Sequence, residues 1–217
     1  MGDTTSRTPA GGPPTTRLLV ARHGQSEWNA IGRWQGQADV PLSEEGLLQA
    51  AEAGLRLGTF AAVWASDLQR ASVTAAIIAE ILGIGPVLTD PRLREADVGP
   101  WQGLTHDDVE AGWPGYLAGR LRPEGFEPYD DAAARMIAAF IDIATESPGE
   151  EVLVVSHGGV IRAARRLLGA SDARMPNLAA SWFEVRGAQV SAGDVVNLCG
   201  APSRAEPSAA EPSGMAL

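Results

Sequence analysis

Apolar residues along this chain follow two rhythms, short unbroken runs and longer stretches spaced by three or four. Arg17 to Ala21 and Glu151 to Val155 are runs too short and too uniformly apolar to be helices of their own, which predicts strands buried on both faces. Ala61 to Ala65 reads the same way. Helical spacing fills the intervals. One helix opens at Ser43 as N-cap, carries Glu44 and Glu45 in its first turn, and continues through Leu47, Ala50, Ala51 and Leu55. A second, capped by Ser66 or Asp67, runs through Ala71, Ala75, Ile78 and Leu82 to Gly83. A third spans Asp130 to Thr145 with Ala133, Met136, Ile137, Phe140 and Ile141 on one side, and a fourth passes through Ile161, Ala164 and Leu168 to Gly169. Ala180 to Val185 and Gln189 to Leu198 read as a hairpin around Arg186-Gly187-Ala188. Strands alternating with helices predict an α/β domain of three layers: a mostly parallel sheet, helices on both faces, and an antiparallel edge from the final hairpin.

Met1 to Thr16 is built from Ser, Thr, Gly and Pro, and Ala201 to Leu217 from Ala, Pro, Ser and Glu. Neither can bury enough apolar surface to offset its ordering entropy, so disorder is expected over 1–16 and 201–217, with one domain over 17–200. The 217 residues, 45% hydrophobic, suffice for a single core. The apolar runs are too short to span a bilayer and no basic-then-apolar leader is visible, which makes a cytoplasmic protein without membrane contact the expectation. A net charge of -10 argues against a nucleic-acid partner, which needs a basic face. It leaves small phosphorylated metabolites open, because charge is screened over about 8 Å and a phosphate in a pocket answers to nearby arginines. The lone cysteine, Cys199, cannot form an internal disulfide and fits a reducing compartment.

Two histidines stand just past strand ends, His23 and His157, each followed by glycine. Ligands of parallel sheets collect outside the carboxyl ends of the strands, and glycine there lets the backbone approach an anion. The strand ending at Ala65 is followed by Arg70 in the first turn of the next helix, so three strand ends offer Arg22, His23, Arg70 and His157 to one rim. Such a set suits phosphoryl transfer: cations stabilise the charge on the transferring group, and an imidazole nitrogen can attack phosphorus. A carboxylic acid is needed to protonate the leaving oxygen and then to activate water, and the loop from Asp90 to Gly99 offers Glu95 or Asp97. His106 reads as the start of a helix capped by Thr105, and Trp28, Trp34 and Trp101 read chiefly as packing residues near these motifs.

The segments Arg22 to Asn29, Gln35 to Gly46, Ser66 to Ala71, Leu93 to Glu95 leading to Gly99 to Thr105, and Val155 to Gly159 together resemble the histidine phosphatase superfamily, in its phosphoglycerate-mutase-like branch. The resemblance implies that His23 becomes phosphohistidine, that Arg22, Arg70 and His157 hold the phosphoryl oxygens, and that Glu95 is the proton donor and later the base. It further implies that Asn29, Gln35 and the backbone amide of Gly158 bind the phosphate, with no metal and no cofactor. Relatives are often dimers, which makes the final hairpin or the surface near Leu178 candidates for a homodimer contact.

Members of this family include both mutases and phosphatases. A mutase must grip a second anionic group and exclude water, yet between Glu95 and His157 the acids Asp107, Asp108, Glu110, Glu124, Glu127, Asp130 and Asp131 face only Arg120, Arg122 and Arg135. A Pro-x-Gly-Glu-Ser segment common in relatives is replaced by Pro123-Glu124-Gly125-Phe126-Glu127-Pro128-Tyr129, which suggests a partly apolar lid. The expected activity is hydrolysis of small phosphomonoesters, sugar phosphates or phosphoglycerate derivatives, with a phosphoglycerate mutase and a non-catalytic phospholigand-binding domain as alternatives.

Overall fold

The computed structural model describes residues 12–200. Six strands, β1 (Thr16–Arg22), β2 (Ala62–Ala65), β3 (Val87–Thr89), β4 (Glu151–Ser156), β5 (Ala179–Arg186) and β6 (Gln189–Asn197), form one sheet in the order β3-β2-β4-β1-β5-β6. The first four are parallel and the final hairpin adds the antiparallel edge. Successive strand residues point to opposite faces, so each unbroken apolar run feeds two cores. Leu18, Val20, Val152 and Val154 pack with Phe140 of α5 (Tyr129–Glu146) and Ile161 of α6 (Gly158–Leu167). Leu19, Ala21, Leu153 and Val155 pack on the opposite face with Ala53 of α2 (Glu44–Arg56) and Ala75 and Ile78 of α3 (Gln69–Leu82). Each buried Leu, Ile, Val or Phe side chain among these stabilises the fold by about 1.5–3 kcal/mol relative to exposure, and each alanine by less. The predicted three-layer α/β arrangement is the one observed, with two short helices, α1 (Glu27–Ala30) and α4 (His106–Gly112), carried in loops. Among the described residues, no helix is long and apolar enough to cross a membrane.

Several expectations are corrected. The N-terminal boundary falls one residue early, because Thr16, assigned to the disordered segment, is buried in β1; its hydroxyl donates to the Ser147 carbonyl at 2.9 Å and accepts from the Gly149 N–H at 3.0 Å. The rest of the predicted disorder, apart from residues 12–15, lies outside the described residues. Helix α2 is capped by Ser43 as predicted, but it buries Gly46, Ala50, Ala53 and Gly54, leaving Leu47, Leu48 and Leu55 at 42%, 67% and 79% exposure. The reason is backbone approach: a Cβ on Gly46 would stand 1.9 Å from the Gln25 carbonyl oxygen, and one on Gly54 2.9 Å from Ile81 Cδ1. The small face therefore packs closest, against α3 and against the loop that follows His23. Helix α3 is capped by neither Ser66 nor Asp67; its N-cap is Leu68, whose N–H donates to Ser66 Oγ, while Asp67 pairs with Arg94. Leu178 is fully buried rather than part of a surface.

Candidate active site

The parallel strands end level with one another. Arg22 pairs with Ser156 and Ala65 with Val155, so the residues that follow, His23, His157 and Ser66, meet at one rim. The two imidazoles are both buried, and their ring centroids lie 5.1 Å apart, edge to face. His23 Nδ1 lies 2.6 Å from the Gly24 carbonyl oxygen. A carbonyl can only accept, so Nδ1 carries the proton and Nε2 keeps its lone pair. His157 is held differently, by a 2.9 Å hydrogen bond between its Nε2 and Ser66 Oγ, with Nδ1 buried and unpartnered.

Arg70 is buried to 1% exposure, with one terminal nitrogen donating to the Ala38 carbonyl at 2.7 Å and the other to Gly36 at 2.8 Å, while Nε is buried without a partner. Burial is the main cause that pulls its pKa down to about 10, so it remains a cation at neutral pH. Arg22 is half-buried and donates to the Met175 carbonyl at 2.9 Å. The N–H of Gly158 opens α6 beside it. Glu95, not Asp97, is the inward acid: Asp97 is exposed and accepts from the Gly99 N–H, whereas the Glu95 carboxylate accepts from the N–H groups of Ala96, Gly159 and Val160, each at 2.9 Å. A Cβ on Gly159 would come within 2.7 Å of Glu95 Oε1, which explains why a glycine stands there. Oε1 accepts two of these bonds and Oε2 only one, so the second lone pair of Oε2 is the position left to carry the proton that Glu95 donates.

The oxygens of the two predicted amide ligands are engaged within the protein. Asn29 Oδ1 accepts from the Ser26 N–H at 3.3 Å and Gln35 Oε1 accepts from the Ser26 hydroxyl at 2.8 Å, which leaves their NH₂ groups to meet an anion. All the predicted residues thus gather around the strand ends. Asn177 escaped the sequence reading. It precedes β5, which enters the sheet antiparallel from this same rim, and its Nδ2 donates to the His23 carbonyl at 2.9 Å and to Asn29 Oδ1 at 3.3 Å. Beside the Glu95 loop, Trp101 is fully buried among Trp34, Trp113 and Phe126, and the Arg122 guanidinium lies over the Trp101 and Phe126 rings at 5.3 and 5.2 Å. His106 begins α4 under a Thr105 capping box, and Cys199, its thiol pushed up to about 11 mainly by burial, donates to the Gln49 carbonyl. Among the described residues, no group of three or more His, Cys, Asp or Glu is placed to hold a metal ion.

Both strand-end histidines titrate well below the ordinary imidazole range. Burial is the largest cause for each; Arg70 then Arg22 add for His23, against the opposing Gly24 carbonyl, and Arg70, His23, Arg135 and Arg22 add for His157. Both rings are therefore neutral at pH 7. Unfolded chains take up these protons near pH 6.5 and the folded protein does not, so the stability held in two neutral rings is complete above about pH 6.5 and is lost as pH falls below it. Urea unfolding between pH 6.5 and 5 should show stability falling by up to about 1.4 kcal/mol per pH unit for each histidine. A His157→Gln variant should lose its share of that slope, and an unchanged slope would refute the assignment.

Comparison with known proteins bears on the family and the fold. Residues 18–193 match the family model described as histidine phosphatase superfamily (branch 1). The chain is 40% identical over 159 residues to a metal-independent phosphoserine phosphatase of Arabidopsis thaliana, covering 68% of this chain and 66% of that one. It is 39% identical over 191 residues to glucosyl-3-phosphoglycerate phosphatase of Mycobacterium tuberculosis, covering 79% of this chain and 85% of that one. Among solved structures, a mycobacterial glucosyl-3-phosphoglycerate phosphatase in complex with VO3 superposes with a TM-score of 0.71 at 37% identity, over 77% of this chain and 92% of that one. A rim of buried imidazoles and arginines on a sheet of this order, matched by the family model over nearly all the described residues, places the chain in the histidine phosphatase superfamily, branch 1.

Proposed function

We propose that this protein hydrolyses small phosphomonoesters through a phosphohistidine at His23, with sugar phosphates and phosphoglycerate derivatives as the first candidate substrates. The observation that carries the reading is the state of His23: a neutral ring whose Nδ1 proton is fixed on the Gly24 carbonyl, leaving the Nε2 lone pair beside the buried cation Arg70. Nε2 attacks phosphorus, the ester P–O bond breaks, and the leaving oxygen takes the Glu95 proton. Glu95, now a carboxylate, removes a proton from water; the water oxygen attacks phosphorus, the P–N bond breaks, and phosphate leaves. Arg22, Arg70, His157 and the Gly158 N–H receive the equatorial oxygens, and the NH₂ groups of Asn29 and Gln35 orient them. The names of the phosphoserine and glucosyl-3-phosphoglycerate phosphatases among the relatives support a small phosphorylated metabolite. The single, half-buried cysteine fits action in the reducing cytoplasm.

The test is phosphate release from a panel of phosphorylated metabolites by protein dialysed against chelator, run beside 3-phosphoglycerate isomerisation primed with a bisphosphate. Hydrolysis with negligible isomerisation is expected. Isomerisation outpacing hydrolysis would make the protein a mutase, and neither activity on any ester would leave a phospholigand-binding domain.

A further inference from the structure

Arg135 lies on α5, outside the rim of strand ends, yet its guanidinium serves both the loop that carries Glu95 and the carboxylate of Glu127, which is bound to the end of that loop. Nε and one terminal nitrogen form a two-pronged pair with Glu127, at 2.8 and 3.0 Å. The other terminal nitrogen donates to the carbonyls of Arg92 and Arg94, both at 2.7 Å, and the shared nitrogen also reaches the carbonyl of Glu95 itself at 2.9 Å. All five N–H groups of the fork are thereby used. Glu127 completes the frame from the far end of the loop, accepting from the Asp97 N–H at 2.9 Å while its own N–H donates to the Asp97 carbonyl at 2.8 Å. Burial works to raise the Glu127 carboxyl, but Arg135 and the Asp97 N–H hold it below its ordinary range, so it stays a carboxylate. From behind, Ser156 Oγ donates to the Leu93 carbonyl at 2.7 Å and ties the same loop to the end of β4. The peptide groups on both sides of Glu95 are therefore fixed, and with them the direction in which its side chain leaves the backbone.

We infer that Arg135 and Glu127 are positioning residues that set the aim of the Glu95 carboxyl, acting on the reaction through Glu95 and not through the substrate. This rests on Glu95 as acid and base. Lysine at 135 keeps the charge but cannot serve five acceptors in one plane. A displacement of about 1 Å at a reacting group costs on the order of 10²-fold in rate.

Phenyl phosphate and p-nitrophenyl phosphate are alike in shape, but the phenolate needs a proton to depart and the nitrophenolate does not. In single turnover, Arg135→Lys should slow phenyl phosphate cleavage roughly 30- to 100-fold and Glu127→Gln roughly 10-fold, with KM within about 3-fold. The p-nitrophenol burst should stay within about 3-fold of wild type, and phosphoenzyme should accumulate because water activation is slowed too. Glu127→Gln retains an oxygen for the Asp97 N–H, so it tests the inference even where the arginine variant folds poorly. Equal losses on the two esters, or no loss on either, would overturn the positioning role. Glu95→Gln separates the two readings: if it spares phenyl phosphate, the acid-base role of Glu95 fails; if it shows the leaving-group-dependent loss and neither partner variant does, only the positioning inference fails.

Discussion

Replacing His23 with alanine is expected to lower phosphomonoester hydrolysis by a factor on the order of 10⁴ or more and to abolish the acid-labile, base-stable phosphoprotein that the wild type forms. The expectation distinguishes between two histidines that occupy equivalent strand ends. His157 has its Nε2 engaged with Ser66 Oγ; with the Ser66 hydroxyl donating, the single proton of the neutral ring sits on the unpartnered Nδ1, which can donate to a phosphoryl oxygen but cannot attack phosphorus. His23 has its single proton held on the Gly24 carbonyl, which turns the basic nitrogen outward. His157→Ala should accordingly cost less, about 10²- to 10³-fold, because it removes stabilisation of charge and not the attacking atom. Chemical quench of the enzyme with a ³²P-labelled ester, followed by digestion and localisation of the label, checks both halves. Label retained in His23→Ala, or lost only in His157→Ala, would reverse the assignment.

The rim of this site was legible in the sequence because its parts are local. A residue at the exit of a uniformly apolar run carries its own address, since the strand and its exit are contiguous; Arg22, His23 and His157 follow that rule, and Arg70 stands in the first turn of the helix that leaves β2. From its place in the chain Glu95 is one of two acids in a loop, and the family resemblance alone singles it out; what separates it physically from Asp97 is contact with Gly159 and Val160, more than sixty residues away. Arg135 and Asn177 had no local signature at all, for their partners are backbone carbonyls brought near by the packing of α5 on the sheet and by the antiparallel entry of β5. Glu127, which the sequence shows only as one acid of the segment between Glu95 and His157, is spent by the fold on Arg135 and Asp97. The same limit explains the misjudged face of α2. Periodicity weights large apolar residues, whereas this helix is drawn in by Gly46 and Gly54, where backbone contact leaves no room for a side chain. Strand β3 was invisible for another reason: three residues at a sheet edge, mostly exposed, produce no burial pattern to detect.

Arg70→Lys is expected to cut kcat/KM by roughly 10²- to 10³-fold even though the positive charge is kept. The guanidinium is buried, its terminal nitrogens already donate to Gly36 and Ala38, and Nε has no partner within the protein. Its direct hydrogen bonds go only to neutral carbonyls, and the carboxylates Glu95 and Asp39 offset its burial only through space, so a phosphoryl group in direct contact stabilises the buried cation further. Lysine presents three donors around a point instead of a planar fork, and cannot keep both carbonyls while meeting two phosphoryl oxygens. Binding offers a readout independent of turnover. Inorganic phosphate at about 100 times its Kd should stabilise the wild type by about 2.7 kcal/mol, which for a domain of this size raises Tm by roughly 5–10 °C. In Arg70→Lys that rise should largely vanish at the same phosphate concentration while the ligand-free Tm moves far less. A variant that keeps the full phosphate-induced shift would show that Arg70 supports the loop at Gly36 and Ala38 and does not receive the phosphoryl group.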